Sequence, residues 1–427
     1  MNTTSRDSRT IPDEQLWQAM TATERVHGLD ALRAFALLLG IVLHSALPYI
    51  LPPGAWAVGT TQPTLFLAWV VYYLHSFRLE LFFLMAGFFA ALVVGRRGAA
   101  AFVRDRARRI LLVFVVALYP MKLALGAVWI AGGLRTGWLA HVLPQEAATL
   151  PWHVLGFGLL ARERWPDTNL THLWFLYYLA WISGLFMTGR WLLQRLTSAG
   201  VLDRLDSSFR RVVAGRLAPL FLAALVTPIL TMMTGTDVDT PDRTFALSLP
   251  VTTLYFVFFT IGWWLHRNAG MLTVFAACWW QLLVTGLVVS LVASAGVGLR
   301  IAGGPWVVEH AVGMRWATSL GTSLTMMLGV FGWLGCFVRF FNRPSAPVRY
   351  VADASYWIYV THLPVVVALQ VWWVHSGLPW WIQVPLVNVV AFAILLASYH
   401  VCVRFTWLGA WLNNRKWPRS GEAVAQP

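Results

Sequence analysis

Of 427 residues, 58% are hydrophobic and only 12% charged, with a mean hydropathy of +0.63, so the chain lacks the charge that a soluble protein of this length would display outside its core. A net charge of +14 would suggest nucleic acid as partner in a soluble protein. Here the arginines gather between long apolar runs, the pattern that orients a membrane protein, so no nucleic-acid partner is expected.

The first 26 residues are polar and mixed in charge, unlike a secretory signal, and read as a cytoplasmic tail. With about 20 apolar residues per crossing, ten spans are expected, near residues 29–50, 66–94, 110–133, 170–189, 217–234, 246–265, 271–297, 312–338, 351–374 and 381–407. The predicted fold class is therefore all-α, a polytopic helix bundle with both termini cytoplasmic. It divides into a tail at 1–26, a transmembrane domain at 27–408 and a second cytoplasmic tail at 409–427.

Charge supports the alternation. The connection after the second span holds Arg96, Arg97, Arg104, Arg106, Arg108 and Arg109 against Asp105 alone, and the one after the fourth holds Arg190, Arg195, Arg204, Arg210, Arg211 and Arg216. Later inside segments carry Arg267, then Arg339, Arg343 and Arg349, then Arg415, Lys416 and Arg419. The opposite connections differ: 51–63 has no charge, and 235–242 carries Asp237, Asp239 and Asp242. The longest outside connection, 134–169, contains an apolar patch, WHVLGFGLL, too short to span and suited to a re-entrant or interfacial helix.

Ionisable residues inside a span are costly and mark a pathway or a reaction centre. The first span carries Arg33 and, eleven residues on, His44. At about 100° and 1.5 Å per residue the two share one helix face, roughly 16 Å apart along the axis, with Arg33 at the cytoplasmic end. The second span carries His75, Arg78 and Glu80. Residues two apart on a helix do not face each other, so Glu80 is expected to meet His44 or Lys122 of the third span, where a carboxylate would orient a histidine acting as general base.

Arg106 and Arg109, three apart, share a face where the cytoplasmic connection enters the third span, and their guanidinium forks suit phosphate oxygens. The plain alternative is that they only set topology. His172 opens the fourth span and His362 lies in the ninth, at a depth comparable to His44, which suggests one shared cavity. Among the many tryptophans, Trp174, Trp357, Trp372 and Trp373 have an ordinary account as interfacial anchors, with stacking on a sugar as the alternative. Cys278, Cys336 and Cys402 sit in apolar stretches without paired spacing, so neither a metal nor a disulfide framework is expected.

These residues together resemble the acyltransferase-3 family of integral-membrane O-acyltransferases. The signatures are the Arg-x10-His at Arg33 and His44, the FF-x-x-(S/A)-GFF stretch at Phe82 to Phe89, and the Arg-x-x-Arg at Arg106 and Arg109. HLWFL at His172 and SYWIYxxHLP around His362 look most like the glucan-succinylating branch of that family. Ala86 stands where family members usually have serine.

The resemblance implies an enzyme of the bacterial inner membrane that takes an acyl group from cytosolic acyl-CoA to a hydroxyl of an extracytoplasmic glycan. Acyl-CoA, carrying succinyl or acetyl, is then a substrate and no cofactor is held permanently; the remaining partners are the glycan and membrane lipid. Arg33, Arg106 and Arg109 would bind the donor. His44 with Glu80 would be catalytic, His44 acting either as general base or as transient acyl carrier. His75, Arg78, His172, Trp174 and His362 would line the substrate cavity. The competing expectation is a secondary transporter with an intramembrane relay, although the repeated halves common in such proteins are not seen. A further one is O-acetylation of another surface polysaccharide.

Overall fold

The computed structural model describes residues 27–52, 54–59, 63–142, 151, 166–213, 215–413 and 417. Among them there is helix and no β-strand. The principal helices are α1 (His27–Ala46), α2 (Leu65–Arg106), α3 (Leu112–Thr136), α4 (Trp174–Leu196), α5 (Ala199–Val213), α6 (Ala218–Thr231), α7 (Leu249–Arg267), α8 (Trp279–Ala302), α9 (Ala311–Phe340), α10 (Ala346–Trp373), α11 (Trp380–Ser398) and α12 (Trp407–Asn413). The expected tail at 1–26, the patch WHVLGFGLL, and Glu146, Arg162, Glu163, Arg164, Arg415, Lys416 and Arg419 lie outside the described residues.

Each of the ten expected spans falls on helix. Seven helical runs among the described residues are long and apolar enough to cross a membrane: His27–Tyr49, Leu65–Thr136, Leu249–Arg267, Trp279–Ala302, Ala311–Phe340, Ala346–Trp373 and Trp380–Arg404. Leu65–Thr136 covers two expected spans, with a kink at Gly98 between them. Of the remainder, α4 falls outside those seven, and α6 has 14 residues and so covers only about 21 Å. The expected span at 271–297 is broken at Cys278, before α8 begins.

One connection differs from its sequence reading. The arginine-rich stretch from Arg96 to Arg109 is helical rather than a loop, because its run of alanines and arginines favours helix. Only Gly98, at φ 80°, interrupts α2, in a conformation that glycine adopts without steric cost. A π-turn, Ala107–Leu111, then leads into α3. The expected C-terminal tail likewise begins inside helix, since α12 runs to Asn413.

Small residues set the tightest contact. A Cβ on Gly87 would sit 1.9 Å from the Phe259 carbonyl oxygen, and one on Gly262 would sit 1.8 Å from that of Leu84. The backbones of α2 and α7 therefore touch reciprocally through two glycines, the close approach that lets helices associate in lipid, where burial of apolar surface supplies no driving force. This accounts for the glycine in the FFLMAGFF stretch. Beside it Phe83 stacks on Tyr255, ring centres 4.3 Å apart.

The acidic loop after α6 is fastened by two arginines. Arg315 Nε donates to the Thr231 carbonyl at 2.7 Å and its Nη2 to that of Met233, while Arg300 donates to the Thr236 carbonyl at 3.2 Å and the Thr318 hydroxyl at 2.9 Å. Both satisfy carbonyls that the end of α6 and the loop leave open. Asp239 caps the loop from within, accepting from the Thr234 and Gly235 amides at 2.8 and 2.7 Å.

Candidate active site

A cavity of about 800 Å³ opens between α1, α2, α3, α4, α10 and the loop after α6. Its lining includes His44, His75, Arg78, Lys122, His172, Trp174, Asp237, Asp242, Tyr359 and His362. Such a volume is in the range of small-molecule sites.

At its centre three imidazoles from three helical segments converge. The rings of His44 and His362 lie 5.3 Å apart, and those of His172 and His362 lie 5.0 Å apart. The backbone fixes two of them. His362 Nδ1 is 2.7 Å from the Tyr359 carbonyl, and His172 Nε2 is 3.0 Å from that of Val360. A carbonyl only accepts, so in the neutral ring those nitrogens carry the hydrogen. That leaves lone pairs on His362 Nε2 and His172 Nδ1, and neither atom has a hydrogen-bond partner among the described residues. Tyr359 closes the arrangement by donating to the His172 carbonyl at 2.7 Å.

His44 is held from the opposite side. Its ring stacks on Trp56 at 5.9 Å, and its Nδ1 is buried without a partner among the described residues. Gln370 ties the two together, accepting from the Trp56 indole and donating to the His44 carbonyl, each at 2.9 Å. Sequence reasoning passes over Trp56, Tyr359 and Gln370. The one available signal is Gln370 itself, a polar side chain within an apolar span.

At the rim, His75 lies 3.3 Å from Asp237 and 3.1 Å from the Thr240 hydroxyl. Burial pushes the Asp242 carboxyl above its ordinary range, with Arg243 pulling it back. Lys122 donates to Thr168 at 2.8 Å. Trp174 lines the cavity, whereas Trp372 is exposed and Trp357 donates to Ser398 at 3.0 Å.

Glu80 departs from its expected place. It is fully buried, but it does not line the cavity, and neither carboxylate oxygen bonds to His44, Lys122 or any other described residue. Two helix positions from Arg78 amount to a turn of about 200°, which sends Glu80 to the far side of α2 while Arg78 faces the histidines.

The other arginines gather toward the end of the bundle where α1 begins. Arg33 lies 3.7 Å from Asp30, with its guanidinium 5.6 Å from the centre of the Phe89 ring. Arg106 lies over Phe102 at 5.0 Å, its Nε buried without a partner among the described residues, and the charges of Arg109 and Arg33 both act on it. Arg109 is committed elsewhere. Its Nε and Nη2 donate to the Leu412 carbonyl at 3.0 and 2.8 Å, and Nη1 lies 3.5 Å from Asp105. None of the three lines the cavity, whose lining on α1 begins at Ala36, one turn beyond Arg33. Between the two regions stands Tyr356, one turn from Tyr359 on α10, with its hydroxyl on the Arg109 carbonyl.

A family model described as an acyltransferase domain, Acyl_transf_3, matches residues 26–400, which include α1 through α11 and every residue of the cavity. The chain belongs to the acyltransferase 3 family. This acyltransferase is 25% identical to glucans biosynthesis protein C of Escherichia coli O157:H7 over 396 residues, covering 88% of the chain and 92% of the relative. It is 24% identical to the protein of the same name from Shigella dysenteriae serotype 1, over the same shares. No solved structure matches it. With its long apolar helices, this acyltransferase is an integral membrane protein.

Proposed function

We propose that the protein resides in a bacterial inner membrane and moves a succinyl or acetyl group from cytosolic acyl-CoA to hydroxyls of an extracytoplasmic glucan. The convergence of His44, His172 and His362 in one cavity carries this reading, because O-acyl transfer needs a base at the attacking hydroxyl and the cavity offers imidazole lone pairs there. The naming of two relatives after glucan biosynthesis supports the acceptor.

In this reading the arginine cluster holds the phosphates of CoA at the cytoplasmic face, with Arg106 offering the uncommitted donor and Arg33 beside it. The pantetheine arm reaches along α1 toward His44, a separation of roughly 16 Å, entering past Ala36 and Leu37 at the cavity floor. Mouth residues Asp237, Thr240 and Asp242 meet the acceptor. His44 takes the proton of the attacking hydroxyl or accepts the acyl group transiently; both routes end in the same ester and free thiol.

Mass spectrometry of cell-envelope glucans with and without the gene tests the reading. The expected result is loss of substituents of one succinyl or one acetyl mass from the glucan on deletion. An unchanged glucan mass profile would overturn it.

A further inference from the structure

We infer that Arg78 is the oxyanion-binding group of this site, admitted to the reacting centre by the missing side chain of Gly40; the inference rests on the acyl-transfer reading above. Gly40 lies on α1 one turn before His44. A Cβ there would come within 2.9 Å of Arg78 Nη1 and 3.3 Å of His362 Nε2. The guanidinium tip and the unprotonated nitrogen of His362 therefore converge on one point of α1, and the ring of His44 is 5.3 Å from that of His362.

Arg78 is otherwise without direct occupation. It forms no ion pair or hydrogen bond among the described residues, and its Nε is buried without a partner. A guanidinium kept inside a membrane protein without an ion-pair partner is costly, and the cost is understandable where negative charge develops only during reaction. Two other cations line the cavity, but Lys122 is bonded to Thr168 and Arg243 lies in the loop beside Asp242. Neither meets the histidines as Arg78 does.

The step balances without a further reactant. The acceptor hydroxyl oxygen bonds to the thioester carbon as its proton passes to His44, and the carbonyl π pair moves onto oxygen to give an oxyanion hydrogen-bonded by Arg78 Nη1. Collapse restores the carbonyl and breaks the C–S bond, and the thiolate takes the proton from His44, leaving ester and free thiol. If the acyl group first rests on His44, a like oxyanion forms at the same carbon in each half of the transfer. Preorganised donors at such a point contribute through the transition state, so they act on kcat.

The test uses the purified full-length protein, extracted envelope glucan as acceptor, and acetyl-CoA and succinyl-CoA as separate donors, with thiol release as readout. Arg78→Met is expected to lower kcat by about 10²–10³-fold, the range for loss of one oxyanion donor, to a similar extent with each donor the wild type uses and with little change in KM. Gly40→Ala tests the geometry with the charge kept. The new methyl meets the flexible end of the arginine, so the fold survives and the guanidinium moves away; a kcat loss of at least about tenfold is expected. Should Arg78→Met fail to give monodisperse protein, Gly40→Ala decides alone.

Unchanged kcat in a folded variant, or an effect confined to KM, would overturn the inference while leaving the acyl-transfer reading intact. So would a loss restricted to succinyl-CoA in a protein that uses both donors, since the arginine would then be reading the distal carboxylate. Absence of thiol release by the wild type with either donor would instead overturn the underlying reading and this inference with it.

Discussion

At the scale of single residues, the structure separates two arginines that look equivalent in sequence. Arg106 and Arg109 sit three apart on one face, yet the fork of Arg109 is bonded to the Leu412 carbonyl while the Nε of Arg106 has no partner among the described residues. Charged hydrogen bonds contribute about 1.5–3 kcal/mol each, so Arg106→Ala is expected to raise the donor KM by roughly tenfold or more with kcat little altered. Arg109→Ala is expected to act first on stability, by releasing α12 from the π-turn between α2 and α3, and should lower the thermal midpoint more than Arg106→Ala does. Donor titrations and melting curves of both variants check this; equal effects on KM and unchanged melting would contradict it. The grouping of His44, His172 and His362 is readable from comparable depths in separate spans. The place of Glu80 is not, because spacing within α2 says that it diverges from Arg78 without saying which neighbour it faces. Gly40 is likewise silent, as a gap has no signature until the side chains that fill it are known.

At the scale of helices, hydropathy locates the apolar segments, since each expected span falls on helix. It misjudges what lies between them. The stretch after the second span reads as a loop because its arginines are polar, but polarity does not oppose helix, and alanine and arginine are both good formers. Amphipathic α5 escapes hydropathy in the same way: Asp206 pairs with Arg210 at 3.1 Å and Arg267 at 3.3 Å, while Phe209 and Val213 are buried. The contact between α2 and α7 leads to a prediction at this scale. A side chain on Gly87 would meet the Phe259 backbone, which cannot turn aside as a flexible side chain can. Gly87→Val is therefore expected to destabilise the bundle by about 3 kcal/mol or more, read as a lowered melting temperature in detergent. A melting temperature equal to the wild type would contradict the reciprocal packing.

At the scale of the whole molecule, arginine clustering and long apolar runs make the membrane class legible in the order of residues alone. Arg300 and Arg315 stand apart from that clustering, and their hydrogen bonds to the loop after α6 give them a structural reason to be where they are. The cavity itself is only partly legible. Its imidazoles announce themselves by their cost in a membrane, but its floor does not, and the structure places a turn of α1 together with Tyr356 between the arginine cluster and the histidines. The donor arm must therefore pass that floor and be consumed only where His44 and an acceptor meet. Thiol release from acyl-CoA by purified protein, measured with and without glucan and in the His44→Ala variant, tests this most directly. Glucan-dependent release by the wild type is expected, with a loss to background in a His44→Ala protein that still inserts and purifies normally. Near-normal release by that variant would contradict it.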